Sequence, residues 1–297
     1  MDDGSAIRLT HSAFRYDGDE DYAAFLIPFI CGALEGGEYV AVATTPGRTA
    51  LLRWRLGPDA TRVRFLDPAG WYARPVRAIS VWAHLLRTHP GAHLINDNPD
   101  GADAWTRCDS ALNAALAGLA GHVLCPHDRD HAATARRTHR VLHDDGWHVS
   151  DEYVEPEQLL TALPEPPYPV TGDPVLSLPV EDTVADLRSL VRGTANAEGW
   201  LDPDGVDALV LAVSELTTNA IRYGGVSREL RLWLMPDAVV GEVTDDGSDP
   251  PGPLAGYLPP TPGEIGGMGM WLVSQGCDAF TIRGVAGRTH ARFAIRR

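Results

Sequence analysis

Cysteine is scarce in this chain: Cys31, Cys108, Cys125 and Cys277 are scattered through 297 residues with no Cys-x-x-Cys pair. That pattern argues against a disulfide framework and predicts buried thiols in a reducing compartment. Long apolar runs are also lacking. No stretch approaches the ~20 residues that a bilayer span requires. The strongest, Ala23 to Leu34, is interrupted by Pro28 and bounded by acidic residues. The first residues, Met-Asp-Asp-Gly, lack the basic-then-apolar order of a signal peptide. No membrane association and a cytoplasmic location are therefore expected. Positive charge is short as well, with 25 basic residues against 40 acidic ones and a net charge of −15. Such a surface repels phosphate backbones and disfavours direct nucleic-acid binding. Any phosphate ligand would need a local device, such as oriented backbone amides or a bridging divalent cation.

What is present is enough for two domains of about 150 residues each. Hydrophobic residues make up 44% and charged residues 22%, a globular profile. Pro156, Pro164, Pro166, Pro167, Pro169 and Pro174 crowd one segment, which reads as an extended linker over residues 154–172, with a short helical piece around Gln158–Ala162. No internal repeat is visible on either side. In residues 1–153, helical and strand patterns alternate. A helix from Glu20 to Leu34 carries Tyr22, Phe25, Leu26, Phe29, Ile30 and Ala33 on one stripe and ends at Gly36-Gly37. Strands are expected at Tyr39–Thr45, Val63–Leu66, His93–Ile95 and Val123–Cys125, and helices at Pro75–Arg87, Trp105–Leu119 and Ala132–Asp144. This alternation predicts an α/β domain with a parallel sheet. Residues 173–297 follow another order. A strand at Val175–Leu178 precedes a helix from Thr183, where Thr183 and Asp186 have capping-box spacing. A helix from Pro203 to Tyr223 comes next, then strands at Glu229–Leu234 and Val239–Thr244. A glycine-rich loop opens a helix near Met270, and strands at Ala279–Arg283 and Ala291–Ile295 follow. Helices on one face of a mostly antiparallel sheet, an α+β layout, are expected.

Three segments of the second half carry chemistry. Within Ser214-Glu-Leu-Thr-Thr-Asn-Ala-Ile-Arg-Tyr-Gly-Gly225, the apolar face is Val206, Leu209, Val210, Val213 and Leu216. Glu215 and Asn219, four residues apart, stack on the opposite face. A carboxylate beside an amide carbonyl can ligate Mg²⁺ and accept a proton, although a solvated polar face has the same pattern. In Glu242-Val-Thr-Asp-Asp-Gly247, a strand ending in Asp-x-Gly sets Asp245 at a sheet rim, able to accept from an exocyclic amine. Gly247 there lets a flat ring approach, yet Asp-Gly is also an ordinary turn. In Gly266-Gly-Met-Gly-Met-Trp-Leu-Val273, glycines before a helix leave amides at the positive end of its dipole, an arrangement that holds phosphate without lysine. Each signal is weak alone.

In that order within about 60 residues, the three segments resemble the N, G1 and G2 boxes of GHKL (HATPase_c) ATPases across residues 173–297. Ser-Glu-Leu-Thr-Thr-Asn-Ala-Ile-Arg-Tyr-Gly and Gly-Met-Gly-Met-Trp-Leu-Val are most similar to the anti-sigma-factor serine kinases of the RsbW type common in actinobacteria. The resemblance implies a GHKL sandwich that binds Mg²⁺-ATP. Asn219 would hold the metal and Asp245 would contact adenine. Gly247, Gly267, Gly269 and the start of the helix at Met270 would frame the nucleotide. Glu215 would act as general base toward a serine of a partner. Two positions depart from the family: Asp249 stands where many members have a second glycine, and Met268 where an Arg is frequent. Both bear on phosphoryl transfer more than on binding. Histidine kinases are set aside because the proline-rich segment occupies the place of their phospho-acceptor hairpin. Gyrase-type and Hsp90-type ATPases are set aside because the chain ends within the fold, without a transducer domain.

In the first half, Thr45-Pro-Gly-Arg-Thr49 follows a strand as a phosphate loop would, but it lacks the glycine spacing and the lysine, so a degenerate loop or plain turn is expected. His122, Cys125, His127 and His131 suggest metal ligands, but a strand and turn would spread them over different faces, which argues against a site. His11 and Tyr16, ahead of the first helix, suit a pocket lining or a structural role. His11, Tyr16, the Glu20–Gly37 helix, the Trp105–Asn113 helix and Leu124-Cys-Pro-His-Asp128 are similar to the MEDS sensory domain, over about residues 8–150. His127 stands where that family usually has Tyr, and Asp109 where Glu is usual. The resemblance implies a RecA-like fold without its phosphate loop and a small-molecule ligand whose identity the sequence does not give.

Together these readings predict a regulator in which a sensory module tunes an ATP-dependent serine kinase. The kinase would phosphorylate an anti-anti-sigma protein of the STAS type and sequester a sigma factor. Related kinases often pair as dimers, so a homodimer belongs to the expectation. The alternative is a nucleotide-gated binding protein with little catalysis, which Asp249 and Met268 make credible. A third, a metal-dependent enzyme in the first half, would require stoichiometric zinc or iron.

Overall fold

Alternation along the first strand, β1 (Thr10–Tyr16), sorts its side chains to two different environments. Phe14 and Tyr16 join an apolar cluster, whereas His11 points to the other face and meets Asn113. The coordinates are a computed structural model describing residues 9–67, 74–99, 102–181, 183–247, 250–260 and 267–297. The chain divides into two compact units, residues 1–163 and 164–297.

In the first unit β1 pairs in parallel with β5 (Gly121–Asp128) and β6 (Val141–His143). The sheet also contains β2 (Val40–Ala43), β3 (Val63–Phe65), β4 (Ala92–Asn96) and β7 (Trp147–Val149), in the order β3-β2-β4-β5-β1-β6-β7. Only β7 runs antiparallel to its neighbour, so the expected parallel α/β sheet is present. Helices α1 (Gly18–Glu35) and α2 (Pro46–Leu56) pack on the Phe14 face with Leu26, Ile30, Leu52, Ile95 and Leu124. Gly37, at φ 77°, turns the chain out of α1 as expected. The other face carries α3 (Pro75–Thr88), whose buried Trp82 donates to Asn96, and α4 (Asp103–Ala115), which supplies Asn113.

Several expectations change here. β1 and β7 were not read as strands, α2 was not read as a helix, and the helix expected over Ala132–Asp144 is shorter. Helix α5 (Ala132–Thr138) stops where Thr138 turns its hydroxyl back to Thr134, and His139 adopts extended backbone. Leu142 is then free to pair with β1. The stretch 154–172 is shared between the units. Helix α6 (Pro156–Ala162) buries Leu159 and Leu160 in the first and packs on α4. Tyr168 and Val170 pack on Trp233 and Met235 in the second.

The second unit is a sheet in the order β11-β12-β10-β9-β8, all antiparallel. Its strands are β8 (Leu176–Pro179), β9 (Arg228–Leu234), β10 (Ala238–Asp245), β11 (Ala279–Val285) and β12 (Arg288–Arg296). Helices α7 (Val184–Ala197), α8 (Pro203–Tyr223) and α9 (Met268–Gly276) complete the α+β unit. The core joins Leu187 and Val191 of α7 and Val206, Leu209, Val213 and Leu216 of α8 to Leu230, Leu232, Val239, Val243 and Phe293. Phe293 is fully buried over Gly241, where a Cβ would overlap its ring. The capping role expected of Thr183 is absent: it occupies the N-cap of α7 but makes no side-chain cap hydrogen bond.

Candidate functional site

Helix α8 starts firmly. Asp202 caps it by accepting from the Gly205 N–H at 2.7 Å, and Pro203 occupies the first turn, where a missing N–H is harmless. The apolar stripe Val206, Leu209, Val210, Val213 and Leu216 is buried as expected. That burial fixes the rotation of the helix and leaves Glu215 and Asn219 half-buried on its other side. Both line a cavity of about 610 Å³, a volume suited to a small ligand or cofactor. Asp245, Gly267, Gly269 and Met270 line it too. Three segments separated in sequence thus share one wall.

Asp245 ends β10 and is buried, 7% exposed. Its Oδ1 accepts from the Gly247 N–H at 2.9 Å, a local turn that fixes the carboxylate. Gly247 stands off the cavity wall. A Cβ there would lie 2.8 Å from Asp245 Oδ1 and 3.0 Å from the Gly224 Cα, so Gly247 acts through close packing behind the carboxylate.

Helix α9 begins at Met268, so Gly269 and Met270 lie within its first turn instead of before it. Gly267 precedes them at φ 75°, a backbone suited to glycine. First-turn amides have no intrahelical acceptor and remain available to an anion. Gly269 packs directly against Glu215, and a Cβ would lie closer to its Oε2 than van der Waals contact allows. The chain contains no lysine. Arg222 is the one arginine on the wall among the described residues, so helix amides would meet most of an anion's charge. Met268 also lines the cavity and is 51% exposed; Asp249 lies outside the described residues.

Gly224 and Thr289 were missed by sequence reasoning. Gly224 lets the end of α8 approach Asp245, since a Cβ there would lie 2.7 Å from the Asp245 Cγ. Thr289, buried on β12, is the register partner of Asp245, and Ala291 that of Val243. The period-2 pattern of β10 and β12 held the signal for this sheet-side wall, but their pairing was needed to use it.

In the first unit the loop after β2 is closed by a side chain. Thr45 caps α2, and Arg48 bonds Asp97 at 3.1 Å while lying 4.6 Å above the Tyr16 and Tyr22 rings. Asp97 also accepts from Thr44 and from Tyr22 at 3.0 Å. Burial pushes the Asp97 carboxyl upward, while Arg48 and these hydroxyls pull it back. A guanidinium already bound to a carboxylate is a poor phosphate receptor, in keeping with the degenerate loop expected there.

The four expected metal candidates separate partly. His122 faces the α1 side, with its Nε2 2.6 Å from Ser12 Oγ, and His131 lies in the turn before α5. Cys125 and His127, two apart on β5, share the opposite face with His11. Tyr16 lies on the other side of β1. Asp109 accepts from Asn98 at 2.7 Å, and its Oδ2 is 4.0 Å from His127 Nε2.

This geometry defines a two-domain protein, an α/β unit followed by a GHKL-type ATPase fold. The family described as "Histidine kinase-like ATPase domain" matches residues 179–295, and the MEDS family, "MEthanogen/methylotroph, DcmR Sensory domain", matches residues 10–144. The chain therefore carries a MEDS domain and a histidine kinase-like ATPase domain. No curated protein matches. A similar solved structure is that of the RsbU and RsbW domains of a Mycobacterium tuberculosis protein. It shares 19% identity at a TM-score of 0.31, over 48% of this chain and 39% of that one, so this chain spans well under two thirds of its length. No helix among the described residues is long and apolar enough to cross a membrane.

Proposed function

We propose that the ATPase domain is a serine kinase that binds Mg²⁺-ATP and phosphorylates an anti-anti-sigma protein of the STAS type. In this reading it also sequesters a sigma factor, acts in the cytoplasm, and pairs as a homodimer. The MEDS domain, residues 1–153, responds to a small molecule and tunes the ATPase domain, residues 173–297, through the segment between them. One observation carries the reading: Glu215, Asn219, Asp245 and the first turn of α9 line one cavity.

The donor set fits the ligand. Asp245 accepts from the exocyclic amine of adenine, its carboxylate held in place by the close packing that Gly224 and Gly247 permit. Amides of Gly269 and Met270 face the phosphates, and Asn219 offers an oxygen to magnesium. Magnesium, when bound, would neutralise charge on the phosphates. Glu215 accepts the serine proton as the serine oxygen bonds to the transferred phosphorus, and the bond to the departing diphosphate breaks.

Calorimetry and transfer from labelled ATP to a purified STAS-type protein test this. Glu215→Ala should lower transfer at least about a hundredfold while retaining nucleotide binding. Unchanged transfer removes Glu215 as the base, and absence of any ATP heat removes the site itself. Met268 on the cavity wall favours a second reading, a nucleotide-gated binding protein. Wild-type protein that binds ATP yet transfers to no antagonist would establish that alternative.

A further inference from the structure

A second cluster of reactive side chains lies in the MEDS domain and takes no part in the function proposed for the ATPase domain. His11 on β1, Cys125 on β5 and His139 after α5 are all buried, and one donor atom of each lies within 4.8 Å of the others. His11 Nε2 is 3.3 Å from Cys125 Sγ. Imidazole and thiolate ligands on a tetrahedral ion, at about 2.0 and 2.3 Å, stand roughly 3.5 Å apart. The remaining separations close with movements of about an ångström.

The orientation of the rings is the independent observation. His11 turns Nδ1 to Asn113 Oδ1 at 3.0 Å, and His139 turns Nδ1 to the Ala135 carbonyl at 3.2 Å. Metal-bound histidines are held in this way, one ring nitrogen bonded to a protein oxygen and the other facing the ion. His139 is fully buried, and its Nε2 has no hydrogen-bond partner among the described residues. Asp109 and His127 form a second trio with His139, again with donors within 4.8 Å.

We propose that the MEDS domain binds a borderline divalent transition-metal ion of the zinc or iron class through His11 Nε2, Cys125 Sγ and His139 Nε2, with a fourth ligand from Asp109 or His127. Two imidazoles, a thiolate and an N or O donor select such an ion over magnesium or calcium. Burial holds both imidazoles neutral, the ligating form, with His11 lowered to about 4. It also raises the Cys125 thiol, so the ion takes the place of a proton released to solvent.

The test uses the full chain, stripped with chelator and titrated with Co²⁺ and then Zn²⁺. A single equivalent of Co²⁺ should give a thiolate charge-transfer band, and Zn²⁺ should abolish it by displacement. Cys125→Ser should remove the band, and His139→Gln should weaken binding at least tenfold. His122→Gln, Cys31→Ser, Cys108→Ala and Cys277→Ala should retain both. No thiolate band from folded wild-type protein overturns the proposal, as does a band lost with Cys31, Cys108 or Cys277. Because the wild-type spectrum and those control variants already decide, a misfolded Cys125→Ser variant leaves the test intact.

Discussion

The two units place the polar groups of their candidate sites differently. In the MEDS domain, Asp97, Asn96, Asn98, Asp109, His11 and His139 are all sealed inside, each within a few ångströms of another polar group. Around the ATPase-domain cavity of about 610 Å³, Glu215 and Asn219 stay half-buried and Asp245 is withdrawn, while the more deeply buried Glu242 is held by Arg292 within the sheet. Histidine divides the same way, with ten of the eleven in the first unit. A sealed network is specific to what it already holds, whereas a half-open one keeps room for a ligand that arrives and leaves.

The largest effect that would sharpen this contrast comes from Asp97. Asp97→Ala leaves the partly buried Arg48 without its buried carboxylate partner and should cost the MEDS domain about 3 kcal/mol or more. Peptide-resolved hydrogen exchange should show the loss in residues 1–163 and leave the ATPase domain unchanged. Equal loosening of both units would break the comparison. Next is Gly224→Ala, whose Cβ would press on the Ala220 carbonyl and on Asp245. It should destabilise the ATPase domain by roughly 1–3 kcal/mol and weaken ATP binding measured by calorimetry.

Acid should separate the units too. Burial, reinforced by His93 and His11, lowers His122 from 6.5 to about 4. A histidine lowered on folding gains its proton more readily when unfolded. Stability is therefore complete above pH 6.5 and lost as pH falls toward 4, by up to about 1.4 kcal/mol per unit. Thermal melts should show the MEDS domain failing first, and His122→Gln should remove its own share of that dependence while the buried His11 and His139 retain theirs. The smallest effect on stability is expected from Gly269→Ala. Its Cβ displaces the flexible Glu215 carboxylate, and alanine suits a helix better than glycine by about 1 kcal/mol. Tm should hardly move, while phosphoryl transfer falls further than ATP affinity. A full loss of binding would show that Gly269 serves the nucleotide more than the base.

The ATPase domain was the more legible half. Its long helix reads from Pro203 to Tyr223 because the cap, the apolar stripe and the terminal glycine agree. Glu215, Asn219, Asp245, Gly267, Gly269 and Met270 are all on the cavity wall, since their motifs are local. Gly224 and Thr289 were hidden because their contacts depend on strand register and on close approach across the fold. In the MEDS domain the sheet was legible from strand–helix alternation, but the His11–Cys125–His139 grouping was not. Its members lie up to 128 residues apart, and no spacing signals them. The four candidates that sequence did suggest were chosen by proximity along the chain, and strand alternation divides His122 from Cys125 and His127.

The placement of β1 has a consequence for synthesis on the ribosome. Thr10–Tyr16 finds its partners only in Gly121–Asp128 and Val141–His143. Once made, β1 must wait, unpaired, for more than a hundred further residues, roughly 5–20 s of translation. During that interval its apolar Phe14–Tyr16 end is exposed to whatever else is nascent. Chaperone dependence should therefore concentrate in the first half of the chain.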